Sequence, residues 1–185
     1  MPVTKRITSQ LLHAMRRRQL VRLSRRFEEW TIRGYVLDVG PRFFLLALIS
    51  EHLWFDGFEC FRISDVKDLK RDPYAAFVEA ALKKRSEQRP KKPHVSLASI
   101  DKLLLSASQT YPLVTIHREQ VDPDVCWIGR VSKIKNGYVT LREIDPGAKW
   151  ESGTTKYRLS EITHVNFGAD YEDALYLVGG EPPSD

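Results

Sequence analysis

A chain of 185 residues, 42% hydrophobic and 29% charged, has the composition of a globular protein rather than a disordered one, with room for one domain or two small ones. No apolar run approaches the roughly 20 residues that span a bilayer, and the two cysteines, Cys60 and Cys126, offer neither a disulfide framework nor a Cys-x-x-Cys metal motif. The net charge of +5 divides unevenly: residues 1–118 hold 22 basic and 12 acidic side chains, residues 119–185 hold 7 and 12. Such a split marks either a face for phosphate or an acidic partner, or a solvated helix surface followed by a flexible linker. Met1 to Arg6 lead into Arg16, Arg17 and Arg18 with no signal-peptide core, which predicts a soluble cytoplasmic protein.

In chain order, Ile7, Leu11, Leu12 and Met15 fall on one face of a first helix. Strand-like segments follow at about 19–25, 30–38, 43–49, 57–63 and 66–70, with alternation clear in Val21-Arg22-Leu23 and a turn at Gly40-Pro41. A second helix has Asp72 as its N-cap and Pro73 as its first residue. Its apolar stripe is Tyr74, Phe77, Val78, Ala81 and Leu82, and it ends in Lys83, Lys84 and Arg85, where the helix dipole favours positive charge. Arg89-Pro90-Lys91-Lys92-Pro93 reads as a stiff, exposed linker.

Beyond the linker the pattern starts again. Ser96 or Ser99 caps a helix whose apolar face is Leu97, Ile100, Leu103, Leu104 and Ala107. Strand segments recur at about 113–118, 126–134, 138–144, 154–159 and 163–167, with a hairpin signal at Asn136-Gly137. Only a turn or two of helix is expected over Asp170–Val178. The two halves align in detail. Trp54, Gly57, Phe61, Arg62, Ile63, Ser64, Asp65, Val66 and Leu69 match Trp150, Gly153, Tyr157, Arg158, Leu159, Ser160, Glu161, Ile162 and Val165 at a constant offset of 96, and Gly34-Tyr35-Val36 matches Gly129-Arg130-Val131 at 95. The chain is a duplication. Tryptophans at matching positions are read as packing residues.

One helix followed by five short bent strands resembles the Sm-like barrel, including the bacterial host-factor (Hfq-type) RNA chaperones. The resemblance rests on the basic run Leu12–Arg18 before the first strand, Gly34-Tyr35-Val36, Phe43-Phe44-Leu45-Leu46, and Ile63-Ser64-Asp65-Val66. The Trp-x-Asp-Gly and Ile-Ser-Asp-Val pair also looks like that of small uncharacterised bacterial proteins. The resemblance implies rings joined by the fourth and fifth strands and RNA bound at the ring face and rim. The family's basic-and-histidine tripeptide before the turn falls on Glu59-Cys60-Phe61 and on Thr155-Lys156-Tyr157, where only Lys156 and Tyr157 keep suitable chemistry. The polar pair at the turn into the third strand becomes Pro41-Arg42 and Asn136-Gly137.

No enzyme signature is present. His13, His52, His94, His117 and His164 are scattered without ligand spacing, and Gly179-Gly180 lacks the lysine of a phosphate loop. The expected protein is mainly β with added helices: two tandem five-stranded Sm-like or SH3-like barrels, 1–88 and 96–185, each preceded by a helix, with 89–95 as the linker. Its expected role is a non-catalytic binding or assembly module, without cofactor, metal or membrane, that meets a protein partner or itself through barrel edge strands. The alternative is RNA or DNA binding by the basic first barrel through Arg16, Arg17, Arg18, Arg22, Arg25 and Arg26, with Lys156 and Tyr157 in the second.

Overall fold

The computed structural model describes residues 3–183, and the chain divides into two compact units, Met1–Pro93 and His94–Asp185. In the first, helix α1 (Val3–Arg17) leads into β1 (Leu20–Arg25), β2 (Ile32–Val39), β3 (Phe43–Ile49) and β4 (Phe55–Arg62). One turn of 3-10 helix at Ile63–Asp65 then feeds β5 (Val66–Arg71), and α2 (Ala75–Lys84) follows. The strands pair antiparallel in the order β5-β1-β2-β3-β4.

Period-two alternation gives this sheet two apolar faces. Val21, Leu23, Val36, Phe44 and Leu46 pack with Ile7, Leu11 and Ala14 of α1. Leu20, Tyr35 and Ile49 point the other way and pack with Ala75, Val78 and Leu82 of α2. The second helix therefore starts later than its sequence signals predict: Asp72 accepts the Tyr74 amide at 2.7 Å and forms a turn ahead of the helix. Its buried stripe is rotated as well, leaving Tyr74 and Phe77 61% and 65% exposed.

The second unit repeats the plan. Helix α3 (Ile100–Thr110) precedes β6 (Val114–His117), β7 (Cys126–Lys135), β8 (Tyr138–Glu143), β9 (Thr155–Arg158), a 3-10 turn at Leu159–Glu161 and β10 (His164–Phe167), and α4 (Asp170–Gly179) follows. The strand order is β10-β6-β7-β8-β9. Ser99 occupies the N-cap position of α3, although its hydroxyl makes no capping bond there. Where only a turn or two was expected, α4 is a ten-residue helix. It gains purchase because Leu175 packs against Leu113 and Ile144, and Trp150 Nε1 donates to the carbonyls of Gly179 and Gly180 at 3.2 Å each.

Backbone geometry supports the duplication independently of residue identity. The 3-10 turns are entered at Arg62 (φ −68°, ψ 125°) and Arg158 (φ −70°, ψ 125°), and left at Val66 (φ −76°, ψ 123°) and Ile162 (φ −71°, ψ 122°). Bulges fall between Val36 and Asp38 in one ladder and between Val131 and Lys133 in the other. Gly34 and Gly129 each lie so near a carbonyl oxygen, of Ala47 and Arg142, that an added Cβ would clash. Asn136 and Gly137 both take positive φ, 54° and 76°, as a two-residue hairpin turn demands.

Two expectations change. The sheets are open rather than closed barrels: among the described residues no ladder joins β4 to β5 or β9 to β10. Each 3-10 turn carries the chain across to the first strand, so those strands finish at opposite ends of their unit's order. The segment expected as an exposed linker is also partly fastened to the first unit. Arg89 lies 3.5 Å from the centre of the Tyr35 ring, and Lys92 pairs with Asp38 at 2.5 Å. Among the described residues, no helix is long and apolar enough to cross a membrane.

Candidate functional site

Residues 1–93 contain 20 basic and 11 acidic side chains and residues 94–185 contain 9 and 13, so the units carry net charges of +9 and −4. The arginines singled out in the first unit divide by role. Arg16, Arg17 and Arg18 are exposed at the end of α1. Arg22 is half-buried and donates to the Thr31 hydroxyl at 2.9 Å. Arg26 pairs with buried Asp65 at 2.5 Å.

Arg25 is a core residue. Its side chain is fully buried, pairs with Glu28 at 2.8 Å and lies 4.5 Å from the Phe61 ring centre. In the second unit Lys156 is exposed on β9, whereas Tyr157, beside it on the strand, is buried and donates its hydroxyl to Glu143 at 2.6 Å. Arg25 and Tyr157 thus serve packing instead of presenting a surface to nucleic acid. The other six remain accessible to different degrees, and Lys156 belongs to a different unit from the arginines. Between α1 and β5 a groove of about 330 Å³ is lined by Ser9, Gln10, His13, Gln19, Lys70 and Arg71.

Strands β5 and β9 each stand at one end of their own unit's strand order. Lys67, Lys70 and Arg71 are exposed on β5, and Lys156 and Arg158 on β9. Lysine-rich edges of this kind resist pairing, and two of like sign repel one another.

The helices on the outer faces are better suited to docking. Helix α2 leaves Tyr74 and Phe77 exposed, with Lys83 and Lys84 at its C-terminal end. Helix α4, in the matching place, leaves Tyr171, Leu177 and Val178 exposed at 53%, 84% and 75%, with Asp170 and Asp173 in its first turn. Sequence reasoning placed Tyr74 and Phe77 in the core. The helical stripe was legible, but which part of it faces the sheet depends on how Ala75, Val78 and Leu82 fit Leu20 and Ile49.

A second feature escaped the sequence. His117 on β6 and His164 on β10, far apart in the chain, are direct cross-strand partners, and their rings stack 4.1 Å apart at 16°. Glu119 joins them, with Oε1 3.8 Å from His164 Nδ1. The only sequence signal was the His-x-Glu spacing, which puts two side chains on one side of an extended segment. No protein-family model, curated protein or solved structure matches this chain.

Proposed function

We propose that the chain is a cytoplasmic, non-catalytic assembly module that associates head to tail, with the α2 face of one copy docking on the α4 face of the next. The observation that carries this reading is the pairing of shape with charge on two repeat-related helices. Both are ten residues long, both leave large apolar side chains exposed beside their buried stripe, aromatic at α2 and mainly aliphatic at α4, and their terminal charges are opposite. Packed antiparallel, Lys83 and Lys84 meet Asp170 and Asp173, while Tyr74 and Phe77 meet Leu177 and Val178. Charge opposition of this sort sets orientation and speeds encounter, and the apolar centre supplies affinity. The strand order of each unit supports reading both as open Sm-like or SH3-like barrels.

A heterologous contact makes a specific demand on experiment. Light scattering across concentration should show growth of the wild-type mass. Phe77→Glu and Leu177→Glu, each at an exposed position, should each give monomers. Mixed together, they should form a dimer and nothing larger, because each retains one intact face. A wild type that stays monomeric at every concentration, or a mixture that stays monomeric, would overturn the reading.

One observation favours nucleic-acid binding as a second reading. Trp30 is 68% exposed in a cleft that also holds Arg22 and Arg33, the combination of aromatic platform and cation that suits unpaired bases. Glu29 and Glu51 line the same cleft and oppose it. A salt-titrated assay with single-stranded RNA and Trp30→Ala tests this reading. It requires binding that weakens steeply with salt and drops further without the indole.

A further inference from the structure

We infer that His117, Glu119 and His164 form a binding site for one divalent transition-metal ion, with zinc the closest match to the donors. One ligand atom from each residue lies within 4.8 Å of the other two. A tetrahedral ion with bonds of about 2.0–2.1 Å holds its ligands roughly 3.3 Å apart, so binding draws the three donors together and tilts the two stacked rings out of their parallel arrangement. Two imidazoles and one carboxylate suit zinc and its neighbours. Calcium and magnesium ask for oxygen alone.

The surroundings are those of a built site. His117 Nε2 lies 3.0 Å from Asn166 Oδ1, a contact that fixes the orientation of the ring. Asn166 Nδ2 in turn donates to Glu172 Oε1 at 2.7 Å, and the Thr115 hydroxyl donates to the same oxygen at 2.5 Å. Thr163 bonds through its hydroxyl to the Glu119 carboxylate and also to the His117 carbonyl, at 3.1 Å. Outer partners of this kind fix ring orientation and ligand basicity at metal centres. Glu119 and His164 are 7% and 8% exposed, and half-buried His117 provides the way in.

The duplication supplies an internal comparison. In the first unit the cross-strand pair equivalent to His117 and His164 is Ser24 and Asp68. The fold itself needs no histidine at either place, so the donor set belongs to the second unit alone. Cys126 continues the row, since it is the partner of His117 on the next strand.

The test is titration of chelator-treated protein with Co²⁺ and then Zn²⁺. Wild type should bind one equivalent of Co²⁺ with visible d–d absorption that Zn²⁺ abolishes, and bound metal should raise the melting temperature. His117→Ser, which copies the residue the first unit carries at this place, and Glu119→Gln, which keeps shape and hydrogen bonding, should each weaken binding at least tenfold at unchanged far-ultraviolet circular dichroism. If the serine variant fails to fold, the glutamine variant decides alone. Absence of saturable one-to-one binding would overturn the site. So would binding that survives the His117 and Glu119 variants, including binding lost only in Cys126→Ser.

Discussion

The guanidinium of Arg25 lies 4.5 Å from the centre of the Phe61 ring, and Arg118 stands over Tyr157 at 5.1 Å in the second unit. Both arginines also pair with carboxylates, Glu28 at 2.8 Å and Glu161 at 2.9 Å. A buried guanidinium that has lost its partner costs far more than an exposed one, and the same holds for the partner left behind. Arg25→Ala should therefore lower stability by about 3 kcal/mol, measured by denaturant unfolding. Arg118, still 17% exposed, should cost less. Exposed Arg16 and Arg17 should tolerate alanine with changes within about 0.5 kcal/mol.

Gly34 and Gly129 offer a paired test of the close approach between strands. A methyl group at either would press into a backbone carbonyl that cannot step aside without disturbing the β2–β3 or β7–β8 ladder. Alanine at each position should cost roughly 1–3 kcal/mol, read as a fall in melting temperature.

Helix endings give a prediction of the opposite sign. Arg18 and Ser86 sit in the left-handed region at φ 51° and 61°, where glycine is at ease. Gln19 N bonds to Ala14 O and Glu87 N to Leu82 O, both at 3.0 Å, so each helix closes with a six-to-one bond beyond that residue. Arg18→Gly and Ser86→Gly should each raise stability by about 0.5–1 kcal/mol, the relieved strain exceeding the added chain entropy.

Much of the architecture could be read from the chain because its signals were local. The Phe43–Ile49 strand matches its expected limits, and the Asn136-Gly137 turn has the backbone its residues require. Ladder partners are a different matter. Nothing near His117 announces His164, because their meeting depends on the register of β6 against β10. Arg25 misled for a related reason: arginine reads as surface until Phe61 arrives from elsewhere in the chain to enclose it, beside the local partner Glu28. The underestimate of α4 arose because its exposed Leu177 and Val178 blur the amphipathic pattern.

Alkaline pH should expose the Tyr157 hydrogen bond. Burial raises this phenol well above its usual value of 10.0, and the bond to Glu143 adds to the rise. A group whose folded value is raised contributes stability in full below its unfolded value, and loses it as pH climbs through the folded one. Stability should thus decline from about pH 10 upward, and Tyr157→Phe should flatten that decline. It should also cost about 1 kcal/mol at neutral pH, since Glu143 loses a donor. Absorbance titration at 295 nm should show one phenol, missing in Tyr157→Phe, that ionises above the usual value of 10.0.

The return of the last strand to the first has a kinetic meaning. Leu23 pairs with Leu69, and Ile116 with Val165, so each sheet is completed by joining segments from opposite ends of its unit. Closing so wide a loop is slow compared with forming hairpins such as β7–β8. During synthesis β1 must wait, solvent-exposed on one side, until Arg71 has left the ribosome, and β6 must wait in the same way for Phe167. The two charged residues of β1, Arg22 and Arg25, keep that waiting strand from joining other chains before its own partner arrives.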